Sequence, residues 1–178
     1  MNISLDQQIA NTSDLIANFK DKKVLVVGDL LLDEYIVGSV ERISPEAPVP
    51  VISVENTWQR LGGAGNVARN IASLGGIPEL FSVSGDDSNR EALLSLLDEH
   101  GISSDILVDS DRPTSIKTRI MAQNQQIVRV DKETISVVSK EMEHGLLKSI
   151  ARTIEPDSIV IVSDYGKGVV SLDFLNDL

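Results

Sequence analysis

The sequence predicts an α/β layer protein with a small inserted β-sheet. Two short apolar runs, Val24-Leu-Val-Val-Gly28 and Ser158-Ile-Val-Ile-Val162, read as buried strands of a parallel sheet. Segments with helical spacing alternate with such strands, as a layered α/β fold requires. Between the first strand and the first long helix lies a stretch punctuated by Pro45, Pro48 and Pro50. Proline confines strands to sheet edges, so this stretch reads as an exposed sheet inserted into the fold.

The elements follow in order. Leu5, Ile9, Ile16 and Phe19 predict a leading helix, and Lys22-Lys23 precede the first core strand. Ile36, Val37 and Val40, then Val51-Ile-Ser-Val54, supply the inserted strands. Leu61-Gly-Gly-Ala-Gly-Asn-Val-Ala-Arg-Asn-Ile-Ala-Ser-Leu-Gly75 is a glycine cluster running into an amphipathic helix, with Val67, Ile71 and Leu74 at helical spacing and Gly75 as its stop. Glu79–Ser84 is a strand ending at Gly85-Asp86. Ser88-Asn-Arg-Glu91 reads as a capping box for a helix carrying Leu93, Leu94, Leu96 and Leu97 and ending at Gly101. Ile106–Val108 is a short strand. Ser115–Met121 and Gln126–Asp131 alternate as a hairpin across Ala122-Gln-Asn-Gln125. Ser139 caps a helix with Met142, Leu146, Ile150 and Ile154, and Ser171 starts a last one.

Composition narrows the function. The 178 residues suffice for one domain with a core, and 42% hydrophobic content excludes a disordered chain. A net charge of −11 argues against nucleic acid as partner. With no cysteine, disulfides, thiol catalysis and cysteine metal sites are excluded. The N-terminus lacks the pattern of a signal peptide, and no apolar run approaches membrane length, so a cytoplasmic protein without membrane contact is expected. His100 and His144 have no partner at metal spacing and read as surface residues. Trp58 reads as packing for the inserted sheet.

Polar residues follow the strand ends repeatedly: Gly28-Asp29 with Asp33, Gly85-Asp86 and Ser163-Asp164. In open parallel sheets ligands bind beyond those ends. Glycines at a helix start expose backbone N–H groups that favour hydroxyl or phosphate oxygens, and Asn66 sits in the first turn. Asp33 either orients a sugar hydroxyl or caps its loop. Arg112, Lys117, Arg119 and Arg129 either clamp an anionic group or form a solvated strand face. In Asp164-Tyr-Gly-Lys-Gly168 two glycines allow a tight turn presenting Lys167. Gly63-x-Gly65-x-x-Ala68 also fits a loose dinucleotide fingerprint, but the polar Asn56–Arg60 before it is not the buried strand that motif needs. No Walker P-loop is present.

Gly62-Gly63-Ala64-x-Asn66-x-Ala68, then Gly75 and Gly85, resemble the first signature of the ribokinase-like carbohydrate kinases, and the likeness runs from about Lys22 onward. The inserted strands, about 35–56 and 114–131, resemble that family's β-lid. Arg42–Val51, Asn124–Asp131 and Ser163–Gly168 resemble, within it, the kinases of D-glycero-β-D-manno-heptose 7-phosphate. The resemblance implies an open, mostly parallel sheet flanked by helices with an inserted lid. It implies phosphorylation of the anomeric hydroxyl by ATP with Mg²⁺, for lipopolysaccharide core synthesis. Carried over by position, Asp33, Gly62, Gly63, Asn66 and Asp164 would bind the sugar. Lys117, Arg129 and Lys167 are candidates for the 7-phosphate or nearby hydroxyls. Lid strands would pair two copies into a dimer. The family's second signature, with the aspartate base, is not found before Leu178 and is expected C-terminal to it. The expectation is therefore an N-terminal part of one kinase domain over 1–178 that binds sugar phosphate without turnover and holds no catalytic residue of its own. A kinase of another sugar and a non-catalytic binding or dimerisation module are the alternatives.

Overall fold

A computed structural model describes residues 15–178. Leu5 and Ile9 of the expected leading helix lie outside the described residues, while Ile16 falls in a short helical turn. The order is β1 (Lys23–Gly28), β2 (Leu30–Ile43), β3 (Pro50–Gly63), α1 (Ala64–Ser73), β4 (Ile77–Ser84) and α2 (Ser88–Glu99). It continues with β5 (Ser103–Val108), β6 (Ile116–Ala122), β7 (Gln125–Lys132), α3 (Lys140–Thr153), β8 (Ile159–Ser163) and α4 (Leu172–Asp177).

Four strands form a parallel sheet in the order β5-β4-β1-β8. β1 is central, which explains its unbroken apolar run: alternate side chains enter opposite layers. Val24 and Val26 face α1 and α2, packing with Ala68, Leu80, Leu93 and Leu97. Leu25 and Val27 face α3 and α4, packing with Phe81, Leu146, Ile150 and Phe174. β8 was expected to be buried, but it is an edge of this sheet, and Ile159 and Val162 are exposed.

The inserted strands make one second sheet, order β3-β2-β6-β7, in which β2 and β6 run parallel and the outer pairs antiparallel. Its root joins the core through Leu30, Leu32, Leu61 and Ile116. The β6–β7 hairpin turns at Gln123 and Asn124, both with positive φ of 50° and 61°, as a two-residue hairpin demands. Ser139 and Ser171 cap α3 and α4, accepting from the N–H of Met142 and Phe174. The cap of α2 is Asp87, not Ser88: its carboxylate accepts from the Arg90 N–H and, with its other oxygen, from the Thr114 N–H. A carboxylate can serve both the helix and the incoming β6 connection, which a hydroxyl one residue later does not reach.

Candidate functional site

A cavity of about 460 Å³ lies where the second sheet meets the start of α1. Its floor is the end of β3. Gly63, the N-cap of α1, has φ 54° and ψ −132° and offers no side chain to the first turn. The N–H of Ala64 is taken by the Asp29 carbonyl at 2.9 Å. The following first-turn N–H groups have no side-chain cap and remain for a ligand. Gly62 is needed for a different reason. A Cβ there would sit 2.6 Å from Asp33 Oδ2, so only glycine leaves room for that carboxylate. Asn66 and, one turn later, Arg69 line the same cavity from α1.

The wall is one face of the second sheet. Register pairs Asp33 with Arg60 and Lys117, Tyr35 with Trp58 and Arg119, and Arg119 with Arg129. Opposed residues share a face, so five of these side chains and the Arg60 guanidinium line the cavity together, with Trp58 behind Tyr35. Arg119 donates to Asp33 Oδ1 at 2.6 Å and lies 5.2 Å from the Tyr35 ring centre. Tyr35 stacks on Trp58 at 5.5 Å, so the lone tryptophan packs within the sheet. Lys117 Nζ donates to Asp131 at 2.8 Å and Glu133 at 3.0 Å, and Arg129 grips Asp131 with two bonds of 2.8 and 2.9 Å. Among the described residues Arg60 and Arg69 enter no ion pair.

Charge states follow from these contacts. Burial disfavours the Lys117 ammonium, but its bonds to Asp131 and Glu133 outweigh that and raise its pKa. Burial likewise opposes ionised Glu133, and the bonds from Lys167 and Lys117 win, lowering its pKa. The bond from Lys117 lowers Asp131. Burial works against the Arg119 charge and the bond to Asp33 overcomes it. All these groups stay charged near neutral pH.

Seven of the residues singled out from sequence therefore surround one cavity: Asp33, Gly62, Gly63, Asn66, Lys117, Arg119 and Arg129. Asp164 and Lys167 do not line it. The Asp164 carboxylate folds back to accept the Gly166 N–H at 2.8 Å, and Lys167 reaches Glu133 at 2.6 Å. From their loop it is Tyr165 that enters the cavity. Leu178, beyond which the aspartate base is expected, is the C-cap of α4; it lies outside the cavity and supplies nothing to it. Arg112 belongs to the scaffold instead of a clamp: it pairs with Asp109 and donates to the carbonyls of Lys167 and Ser136. Asn56–Arg60 are strand residues, yet of β3, which pairs antiparallel in the second sheet, so the dinucleotide context still fails. Tyr35, Arg60, Arg69 and Tyr165 were missed. For Arg60 the signal was its place one residue before Leu61-Gly62. His100 and His144 are exposed.

The set comprises a carboxylate acceptor, an amide, free backbone donors and a ring of cations. It suits a polyhydroxylated molecule that carries an anionic group. Among the described residues no group of three or more His, Asp or Glu side chains is arranged to hold a metal ion.

Comparison with known proteins bears on the family and the fold. Residues 21–165 match the family described as pfkB family carbohydrate kinase. The chain is 50% identical over 154 residues to the bifunctional protein HldE of Helicobacter pylori strain J99, covering 86% of this chain and 33% of that protein. It is 44% identical over 157 residues to the bifunctional protein HldE of Paramagnetospirillum magneticum, covering 88% and 32%. The chain thus spans about a third of the length of these curated relatives. Among solved structures, phosphofructokinase-2 from Escherichia coli in complex with fructose-6-phosphate superposes with a TM-score of 0.67 at 20% identity, covering 86% of this chain and 49% of that one. A carbohydrate kinase from Agrobacterium tumefaciens gives 0.54 at 20% identity, covering 71% and 42%. These structures share the ribokinase-like fold of a mostly parallel sheet with flanking helices. The chain belongs to the pfkB family of carbohydrate kinases.

Proposed function

We propose that these residues form the acceptor side of a kinase that phosphorylates the anomeric hydroxyl of D-glycero-β-D-manno-heptose 7-phosphate, in ADP-heptose synthesis for the lipopolysaccharide core. The observation that carries the reading is the Asp33 carboxylate seated against Gly62 within a ring of five cations. Asp33 and Asn66 bind sugar hydroxyls, and the free first-turn N–H groups of α1 take further oxygens. The cations hold the 7-phosphate. The HldE relatives, 44–50% identical, support the heptose over another sugar.

ATP is the donor, and Mg²⁺ would neutralise charge on its phosphates when bound. The described residues offer no protein cage for the ion, in keeping with a metal held largely by phosphates and water. No helix among the described residues is long and apolar enough to cross a membrane. The protein works in the cytoplasm, where ATP and the sugar phosphate are both present.

The second sheet acts as a lid and as a dimer surface. Its face away from the site carries Ile36, Ile52, Val54, Ile120 and Val128 around an open groove, and Val54 is 61% exposed. A second lid would cover that apolar face.

The test is calorimetric titration of the 178-residue chain with the heptose 7-phosphate, with ribose as control. Saturable binding of the heptose phosphate alone is expected. A chain that is folded by circular dichroism and binds neither sugar, or binds both alike, overturns the reading.

A further inference from the structure

We propose that Asp29 is a positioning residue of this site. Its buried carboxylate is a built-in anion around which the Ser163–Val170 loop folds. Asp29 follows β1 and is 1% exposed. Its Oδ2 accepts from the Tyr165 N–H at 2.7 Å and the Lys167 N–H at 3.0 Å, and Oδ1 from the Val169 N–H at 3.1 Å. Every second amide of one loop thus converges on one carboxylate. The residues between are Gly166 and Gly168, with φ of 68° and 87°, left-handed conformations that let alternate N–H groups face one point. Such a concavity of amides is a general anion-binding device. Here the anion belongs to the chain itself, and three of the loop's amides are committed to it.

What the loop carries explains why the anion matters. Tyr165 lines the cavity. Lys167 extends to Glu133, whose other oxygen holds Lys117 on the cavity wall. The backbone of Asp29 fixes the opposite side, since its carbonyl accepts the first N–H of α1 and its N–H donates to Ser163. One residue therefore sets the spacing between the glycine floor, the loop and, through Glu133, the lid. A buried charge is tolerated only when charge-assisted bonds satisfy it, so the three amides and the carboxylate require each other.

The inference rests on the proposed function for its ligand. The experiment compares wild type, Asp29→Ala and the isosteric Asp29→Asn by titration with the heptose 7-phosphate, with and without added formate. Formate fits the space that alanine vacates. The expected result is roughly tenfold or weaker binding by both variants, the scale of losing charged hydrogen bonds. Formate should restore Asp29→Ala alone, raising both its binding and its melting temperature. The titrations are run well below every variant's melting temperature, where the chain stays folded, so formate-dependent binding there reports the placement of the loop and not the folded fraction. Wild-type affinity in either folded variant, or weak binding in Asp29→Ala that formate leaves unchanged, overturns the proposal. If wild type itself binds no heptose phosphate, the functional reading fails separately. The amide resonances of Tyr165, Lys167 and Val169 then decide the positioning role: they should shift in Asp29→Ala and return with formate, and unmoved resonances overturn it.

Discussion

Gly63→Ala probes the joint on which the site is built. Gly63 sits at φ 54°, ψ −132°, a conformation that side chains with a Cβ rarely adopt. Holding alanine there costs on the order of 1–3 kcal/mol. The added Cβ also runs into the Asp29 carbonyl. That carbonyl accepts the Ala64 N–H, so relief of the clash strands a buried donor at roughly 1–3 kcal/mol. The two effects together give roughly 2–6 kcal/mol. A domain of this kind has about 5–15 kcal/mol in total. At about 2–4 °C per kcal/mol, the melting temperature should fall by roughly 4–24 °C. Urea and thermal unfolding followed by circular dichroism measure this directly. A variant within about 0.5 kcal/mol of wild type, the scale of an ordinary surface change, would refute both the strain and the clash.

Three further predictions follow from other contacts. Gly62→Ala lacks the backbone strain, and its Cβ meets the Asp33 carboxylate instead; it should fold normally yet lose at least about tenfold in sugar-phosphate affinity by calorimetry, through a lost charged hydrogen bond. The folded-state pKa of Glu133 lies below its ordinary 4.5, so its contribution is present above that pH and fades as pH falls through and below it. Melting temperatures measured from about pH 6 to about pH 3 should therefore decline less steeply for Glu133→Gln than for wild type. Val128, 45% exposed on the apolar lid face, should tolerate Glu in the monomer but abolish lid pairing, so light scattering should report a dimer for wild type and a monomer for Val128→Glu.

Local chemistry made much of the fold legible. β1 announced itself because a strand buried on both faces must be apolar at every position. The Ser139 and Ser171 caps and the Gln123-Asn124 turn were readable because each is decided within a few residues. The lid was harder. β3 reads as polar from Asn56 to Arg60 because one of its faces meets solvent and the other meets the site, so no apolar alternation survives. Gly62, Gly63 and Asn66 followed from the glycine-helix pattern, which concentrates backbone donors in one short segment. Asp29 could not be assigned its role from sequence, since its partners lie 136 to 140 residues away. Lys167 and Asp164 lie off the cavity, and sequence does not show this, because a turn shows which residues it presents but not toward what. Arg112 looked like part of a cationic run, and only the packed loops show that its guanidinium is spent on Asp109 and two carbonyls.

The parallel pairing of β2 with β6 bears on how the chain acquires its shape. Glu34 and Thr118, joined across these strands, are 84 residues apart. Everything between them, including α1, β4, α2 and β5, must be made before β6 reaches its partner. Closing so long a loop has to precede any reward from the contact, which slows assembly. During synthesis the β2–β3 hairpin is available early, with both edges open and an apolar face. The lid is thus the segment most prone to premature strand pairing with another chain. Its late completion by β6 and β7 is the step at which correct folding and aggregation compete.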